Sequence, residues 1–507
     1  MNKSIKKKIV NSDVLARLNS YMGTRPILKR LVGGAFWTLL GTAITRAISL
    51  LTNIVIARLL GKEDFGAYGI LNSTLETFAL FGGLALGFTM IKYTAEYRVR
   101  DPVKAGRLLS SARTIAYVSA GIIALGLFLF SDQLAASTLN RPDLGGMLEI
   151  GAAYMFIRTI NNIQLGTLAG FEAFRETARI NVITGLLTPL LTFPLVYWMD
   201  LTGAVISLVA VALVSYAYCS RVFKQQCENH GIVVRLLDRY SFNAMPELFS
   251  YSIPAFMSWI LIIPVAWLTQ ALLANQPSGY SELGLFNAAN QWRQFVILIP
   301  SMMATVMLAV SADSYADAAG DGYRQAYRMN MMLTWSYALP AVVLVSILGG
   351  PLNSLFGENF ADAVWLIPPL ITAAFFTVLN TVASSAVTGA GRMWVEVALN
   401  LIWAGVLIAA SLWLVPVHGA MGLAYASLVA PFVQVIARLF YIDRVLIPNS
   451  FRDFRLLFIV TIIVLSATLF LSWESKLNIT WGLLLAAFGS IPLLLKARDI
   501  YSQIKNS

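Results

Sequence analysis

Residues 31–57 read LVGGAFWTLLGTAITRAISLLTNIVIA, an unbroken run whose one charged residue is Arg46. A run of this length exceeds the roughly 18–20 apolar residues that carry a helix across hydrocarbon. Lipid offers the backbone no hydrogen-bond partner, so the chain must satisfy its own. Working outward, comparable runs recur along the chain, giving fourteen expected spans: 31–57, 66–91, 110–130, 146–169, 179–199, 201–220, 247–274, 283–310, 329–349, 362–388, 393–415, 418–442, 455–473 and 480–496. The composition agrees: of 507 residues, 58% are hydrophobic and 12% charged, and the mean hydropathy is +0.70. A soluble domain carries roughly 25% charged residues. A disordered chain, a disulfide scaffold and a multidomain soluble enzyme are excluded. The expected fold class is an all-α polytopic membrane protein.

A net charge of +11 suggests nucleic acid in a soluble protein, but the distribution of charge argues otherwise. With the N-terminus inside, the inside segments hold 28 of the 37 Lys and Arg, and the outside loops hold four: Arg58, Lys62, Arg141 and Lys476. The remaining five, Arg46, Arg113, Arg158, Arg293 and Arg438, lie in or at the edges of helices. This asymmetry is the positive-inside pattern. It supports the span count and predicts a multi-pass protein of the cytoplasmic (inner) membrane with both termini cytoplasmic. Nucleic acid is not an expected partner.

The first apolar run is too long for a signal-peptide core. Residues 1–30 are expected to be a cytoplasmic or interfacial segment, in which Ile5, Ile9 and Leu18 share a helical face beside Lys6, Lys7 and Lys8. Cys219 and Cys227 fall at the inside end of the sixth span and in the next loop, where no disulfide is expected. His230 and His418 are the two histidines, too few for a transition-metal set, so no metal or organic cofactor is expected. No phosphate-binding loop or nucleophile elbow appears, which argues against an ATP-driven pump and most hydrolases.

The polar stretch 221–246 divides the chain, and the two sides resemble each other. EDFGAYGI (63–70) matches SELGLFNA (281–288) at an offset of 218, and LAGFEAFRETARINVI (168–183) matches VTGAGRMWVEVALNLI (387–402) at 219. Six spans separate equivalent positions, so the repeats share one orientation. The expected organisation is a six-helix bundle over 31–220, a cytoplasmic linker over 221–246, a second bundle over 247–442 related by pseudo-two-fold symmetry, and a helix pair with a cytoplasmic tail over 443–507.

The run GAFWTLLGTAITRAISLLTNIVIARLLGKEDFGAYGI (34–70), with Ala57–Gly61, Phe65, Gly66 and Tyr68, resembles the start of polysaccharide transporters. These form a branch of the multidrug/oligosaccharidyl-lipid/polysaccharide exporter superfamily. IKYTAEYR (91–98) and TGAGR (388–392) fit the same resemblance, which extends through the twelfth span. It implies a flippase for lipid-linked sugars, with no covalent chemistry.

Polar residues within membrane helices usually face a bundle interior or a water-filled cavity. At about 100° per residue, Thr42, Arg46, Ser49 and Asn53 share a face of the first helix. Asn72 and Glu76 align in the second; Arg158, Asn161 and Asn162 in the fourth; Asn181, Thr184, Thr188 and Thr192 in the fifth. Asn287, Asn290, Gln291 and Gln294 align in the eighth, and Thr377, Asn380, Thr381, Ser384 and Thr388 in the tenth. These stripes predict a polar central cavity. Its deep arginines, Arg46, Arg158 and Arg293, outnumber the one deep carboxylate, Glu76. Arginine presents a charged fork that suits pyrophosphate. Arg293 lies off the main stripe of its helix, and Arg46 is positioned to pair with Glu76.

The expected activity is translocation of a polyprenyl-pyrophosphate-linked oligosaccharide by alternating access, for surface polysaccharide biosynthesis. A peptidoglycan-precursor flippase and a multidrug/cation antiporter are the alternatives, and an embedded glycosyltransferase ranks last because the loops are short. Glu76 is the candidate for coupling to H+ or Na+. A polysaccharide polymerase and glycosyltransferases are the expected protein partners.

Overall fold

The computed structural model describes residues 26–236, 245–316, 321–474, 480–481 and 484–489. It is built of helices: α1 (Pro26–Gly83), α2 (Leu86–Arg100), α3 (Pro102–Leu129), α4 (Ser131–Ser137), α5 (Gly145–Gly170), α6 (Phe174–Asn229) and α7 (Met245–Ile260). Then follow α8 (Ile263–Ala274), α9 (Gly279–Ala316), α10 (Asp321–Ile347), α11 (Gly349–Ser354), α12 (Ile367–Gly389), α13 (Met393–Tyr441) and α14 (Ser450–Trp473). Among the described residues no strand occurs, and seven helical stretches are long and apolar enough to cross a membrane. Helix covers the first thirteen expected spans. The interfacial face expected near the N-terminus, part of the expected linker, most of the fourteenth span and the C-terminal tail lie outside the described residues.

Two spans are broken where continuous helix is expected. The second is interrupted at Leu84 and Ala85, whose φ values of 48° and 54° are left-handed. The seventh is interrupted between α7 and α8, just before Pro264. Proline has no N–H to donate and its ring clashes with the carbonyl four residues earlier, so helix ends ahead of it. Pro189 and Pro194, in contrast, stay inside α6.

Adjacent spans are joined by very tight breaks. Single left-handed residues, Gly61, Asp200 and Gly419, interrupt α1, α6 and α13. In α6 the two limbs then run side by side, with Thr192 Oγ1 donating to Ser207 Oγ at 3.0 Å. The left-handed residues recur along the chain. Gly61, Asn140, Glu172, Asp200 and Gly231 are followed, 217 to 219 residues later, by Ser278, Gly357, Gly391, Gly419 and Asn449.

Contacts sort these turns onto two faces. On the Gly61 face, Arg58 Nε donates to the Leu355 carbonyl at 2.7 Å, and the Tyr280 hydroxyl to the Leu139 carbonyl at 2.6 Å. Phe65 packs against Phe356 and Phe360. Arg141, expected as a simple outer-loop cation, is tied at 2.7 Å to Asp64. Beneath this face α1 and α9 meet backbone to backbone. A Cβ placed on Gly66 would lie 2.0 Å from the Tyr280 carbonyl oxygen, and one on Gly284 would lie 1.9 Å from that of Lys62. Both pairs, 66 with 284 and 62 with 280, are related by the sequence offset of 218.

On the opposite, Glu172 face, the first half of the chain is strapped to α7. Lys104 pairs with Glu247 at 2.9 Å, the Tyr93 hydroxyl donates to the Glu247 carbonyl at 2.8 Å, and Thr89 and Ser252 share a hydrogen bond at 2.7 Å. Tyr97 and Glu247 hold the Lys104 ammonium above the ordinary lysine range. Cys219 and Cys227 are both buried free thiols, and burial pushes Cys227 up to about 12.

Candidate substrate cavity

Two cavities meet in the middle of the molecule. The larger, about 550 Å³, is lined from α9 by Arg293, from α12 by Thr377, Asn380, Thr381, Ser384 and Thr388, and from α13 by Glu396, Asn400, Gln434 and Arg438. The second, about 440 Å³, lies between α1, α2 and α5 and is lined mainly by small apolar residues, with Glu76 and Asn162 among them. Phe88 borders both, and Ile262 and Ile263 at the α7–α8 break face one each. The linings run to Ala169, Ile91, Thr388 and Met393, close to the turns at Glu172 and Gly391. The paired cavities therefore extend toward the Glu172 face, while on the Gly61 face α1 and α9 meet backbone to backbone and a separate pocket of about 620 Å³ lies beside Glu282, Asp362 and His418.

The α12 lining follows from sequence spacing. Thr377, Asn380, Thr381, Ser384 and Thr388 sit three and four apart, so one helical face carries them all. Opposite them, Glu396 and Asn400 are four apart on one limb of α13, and Gln434 and Arg438 four apart on the other. Arg438 is 2% exposed and Glu396 8%. Arg438 donates to Glu396 Oε1 and, at 3.0 Å, to the Asn380 carbonyl; Ser384 Oγ donates to the same Glu396 oxygen at 2.8 Å. Gln434 Nε2 donates to Asn400 Oδ1 at 3.0 Å.

This network changes the charge balance expected from the stripes. Glu396 is a second deep carboxylate and Arg438 a deep arginine beside Arg158 and Arg293, and neither belongs to one of the polar stripes. Their signal was present, as two i,i+4 polar pairs inside otherwise apolar runs. Glu76 pairs with Arg158, not with Arg46: Arg158 Nε lies 3.2 Å from Glu76 Oε1, and the Tyr154 hydroxyl donates to that oxygen at 3.0 Å. Arg158, Tyr154 and Asn161 face a third cavity of about 320 Å³, enclosed with Thr45, Ser49, Thr184 and Ser207. Two arginines are thus neutralised by carboxylates. Arg293 is not: its guanidinium donates to Thr377 Oγ1 at 3.2 Å and Asn290 Oδ1 at 3.5 Å, its Nε has no acceptor, and it forms no ion pair among the described residues.

The structure brings Arg293, Asn380 and Ser384 into one cavity, Glu76 and Asn162 into the adjoining one, and Arg158 and Asn161 into the third. Several stripe hydroxyls join them, but the remaining arginine and amides of the stripes do not. Arg46 is exposed and lines none of these three cavities. Asn53 donates to its own helix at Ser49, Asn181 receives Thr45 on its carbonyl, and Asn287 packs against Gly69. Asn72, Asn290, Gln291 and Gln294 likewise line none of the three, although Asn290 supports Arg293. Of the tryptophans, Trp267 donates to Thr74 at 2.8 Å and Trp292 is buried edge-on to Phe356.

Apolar helices of membrane length around a paired cavity, with charged groups sheltered inside, define an integral membrane transport protein rather than an enzyme, and its relatives agree. Residues 31–312 match the family described as polysaccharide biosynthesis protein, which is more than half of the chain. The chain belongs to that family. It is 21% identical over 374 residues to the EPS I polysaccharide export inner membrane protein EpsE of Ralstonia nicotianae, covering 73% of this chain and 84% of the relative. Its fold is shared with the lipid II flippase MurJ in an inward closed conformation (TM-score 0.70, 14% identity, 92% of this chain and 99% of that one). An outward-facing multidrug resistance MATE family transporter of the MOP superfamily is also similar in fold (TM-score 0.63, 16% identity, 82% and 94%).

Proposed function

We propose that this chain translocates a polyprenyl-pyrophosphate-linked oligosaccharide across the cytoplasmic membrane by alternating access, for surface polysaccharide synthesis. The observation that carries the reading is Arg293, a deep cation with no carboxylate partner among the described residues, set in a lining of amides and hydroxyls. Arginine donates charge-assisted hydrogen bonds to phosphate oxygens, and hydroxyl and amide groups match a saccharide's own donors and acceptors. A cation exporter needs the opposite sign in its cavity.

Two six-helix bundles related by a pseudo-two-fold axis provide the moving parts. The recurrence of left-handed residues at one offset supports that organisation, as does the reciprocal contact of Gly66 with Tyr280 and Gly284 with Lys62. With both termini cytoplasmic, the cavities open inward and the Gly61 face is the closed outer gate. The head enters from the cytoplasmic side with its chain left in lipid. Consumption of the product outside, by a polymerase working with upstream glycosyltransferases, supplies direction, and Glu76 is the group assigned to any coupling with H+ or Na+.

The test is genetic and chemical. Cells lacking the gene should lose one surface glycan and accumulate its lipid-linked precursor on the inner leaflet. Wild-type protein should restore export, and Arg293→Gln, inserted at normal levels, should not. Full export by the Arg293→Gln protein removes the support this reading takes from the cavity.

A further inference from the structure

We propose that Glu396 is a resident competitor anion that makes the cavity select a diphosphate head over a monophosphate. The inference rests on the flippase reading above and adds to it a specificity-determining residue. Two arginines serve the larger cavity in different states. Arg293 has no carboxylate, whereas Arg438 is already held by Glu396 and by Asn380. Both ends of that buried pair keep an unmade bond: Arg438 Nε has no acceptor and Glu396 Oε2 has no donor.

The two guanidinium groups are within one ligand's reach. Arg293 is anchored on Thr377 and Arg438 on Asn380, three residues apart on one face of α12. Three residues rise about 4.5 Å along a helix, a separation two linked phosphoryl groups can bridge. A monophosphate at Arg293 gains that arginine alone, because Arg438 is closed to it by a carboxylate already in contact. A diphosphate brings a second charged group that can displace Glu396 from Arg438. The released carboxylate keeps Ser384 as donor, with the amides of Gln434 and Asn400 lining the same cavity. Discrimination built by an internal repulsive or competing group, rather than by added attraction, is a general route to specificity.

The measurement is binding to the purified full chain in detergent micelles, using geranylgeranyl diphosphate and geranylgeranyl monophosphate as probes. Wild type should prefer the diphosphate. Glu396→Gln should bind the monophosphate roughly tenfold tighter than wild type, the equivalent of one charge-assisted bond made available, so the preference collapses. The double variant Glu396→Gln/Arg438→Gln removes both charges of the pair while keeping its shape, and covers the case in which a lone buried arginine unfolds the single variant. It should bind both probes with about the affinity Arg293 alone provides. A wild-type preference that survives both substitutions in folded protein overturns this inference alone. Failure of wild type to bind either lipid overturns the flippase reading with it.

Discussion

Closure of the Gly61 face depends on the absence of side chains at two crossing points, and adding one methyl group there should hold it open. A Cβ on Gly66 would sit 2.0 Å from the Tyr280 carbonyl oxygen and 2.9 Å from the Gly284 nitrogen, both backbone atoms that no rotamer change can move. A relaxed carbon–oxygen contact needs roughly 3.3 Å, so Gly66→Ala requires α1 and α9 to separate by about 1 Å or more. Overpacking of this kind costs typically ~1–3 kcal/mol, which shifts a two-state equilibrium by roughly five- to 150-fold. The cost falls on the closed state because the contact exists there. Spin labels at Glu63 and Asp362, both exposed on this face, report the distance by double electron–electron resonance. The native thiols are buried and weakly reactive, which keeps the background low. Wild type should give one short distance; Gly66→Ala, and equally Gly284→Ala, should add a longer population and slow transport. An unchanged distribution in folded, alanine-substituted protein refutes the gate.

Two further outcomes follow from other contacts. The Lys104–Glu247 latch should weaken as salt rises toward about 1 M, because its partners are partly exposed; Glu247→Gln should raise the labelling of a cysteine at Ser252, and no change would mean the strap does not hold the Glu172 face. Since Lys104 is held above its usual range, its side of the pair keeps its charge below that raised value and loses it only in strong alkali, so mild alkalinity should not release the strap. For orientation, an impermeant thiol reagent on whole cells should label Asp143→Cys and leave Glu172→Cys untouched, and equal labelling would reject cytoplasmic termini.

Much of the helix layout was legible from sequence because hydrocarbon imposes it: each span must be long, apolar and helical, and residues 31–57 state that requirement openly. The offset between EDFGAYGI and SELGLFNA pairs Gly66 with Gly284, but that these two residues meet is seen only in the structure. The breaks were harder to read. Leu84 and Ala85 are unexceptional residues whose left-handed backbone answers to packing, whereas the α7–α8 break had Pro264 to announce it. Helical stripes put Asn380 and Ser384 on one face and left Arg293 off the stripe of its own helix, and stripes assign an angle and not a neighbour. They could not reveal that Arg158 turns to Glu76, that Arg46 is exposed and lines none of the three cavities, or that Glu396 and Arg438 close a network from two limbs of one helix 42 residues apart.

The most direct test of the central claim is transbilayer movement itself. Purified protein is reconstituted into liposomes with a polyprenyl-diphosphate oligosaccharide carrying a radiolabelled terminal sugar, and an added impermeant glycosidase reports how much head is exposed. Wild type should make the whole labelled pool accessible within minutes, while protein-free liposomes and Arg293→Gln proteoliposomes stall at the outer-leaflet half. Wild-type liposomes that stall at the same half, while the same preparation moves a cationic dye, would contradict the account.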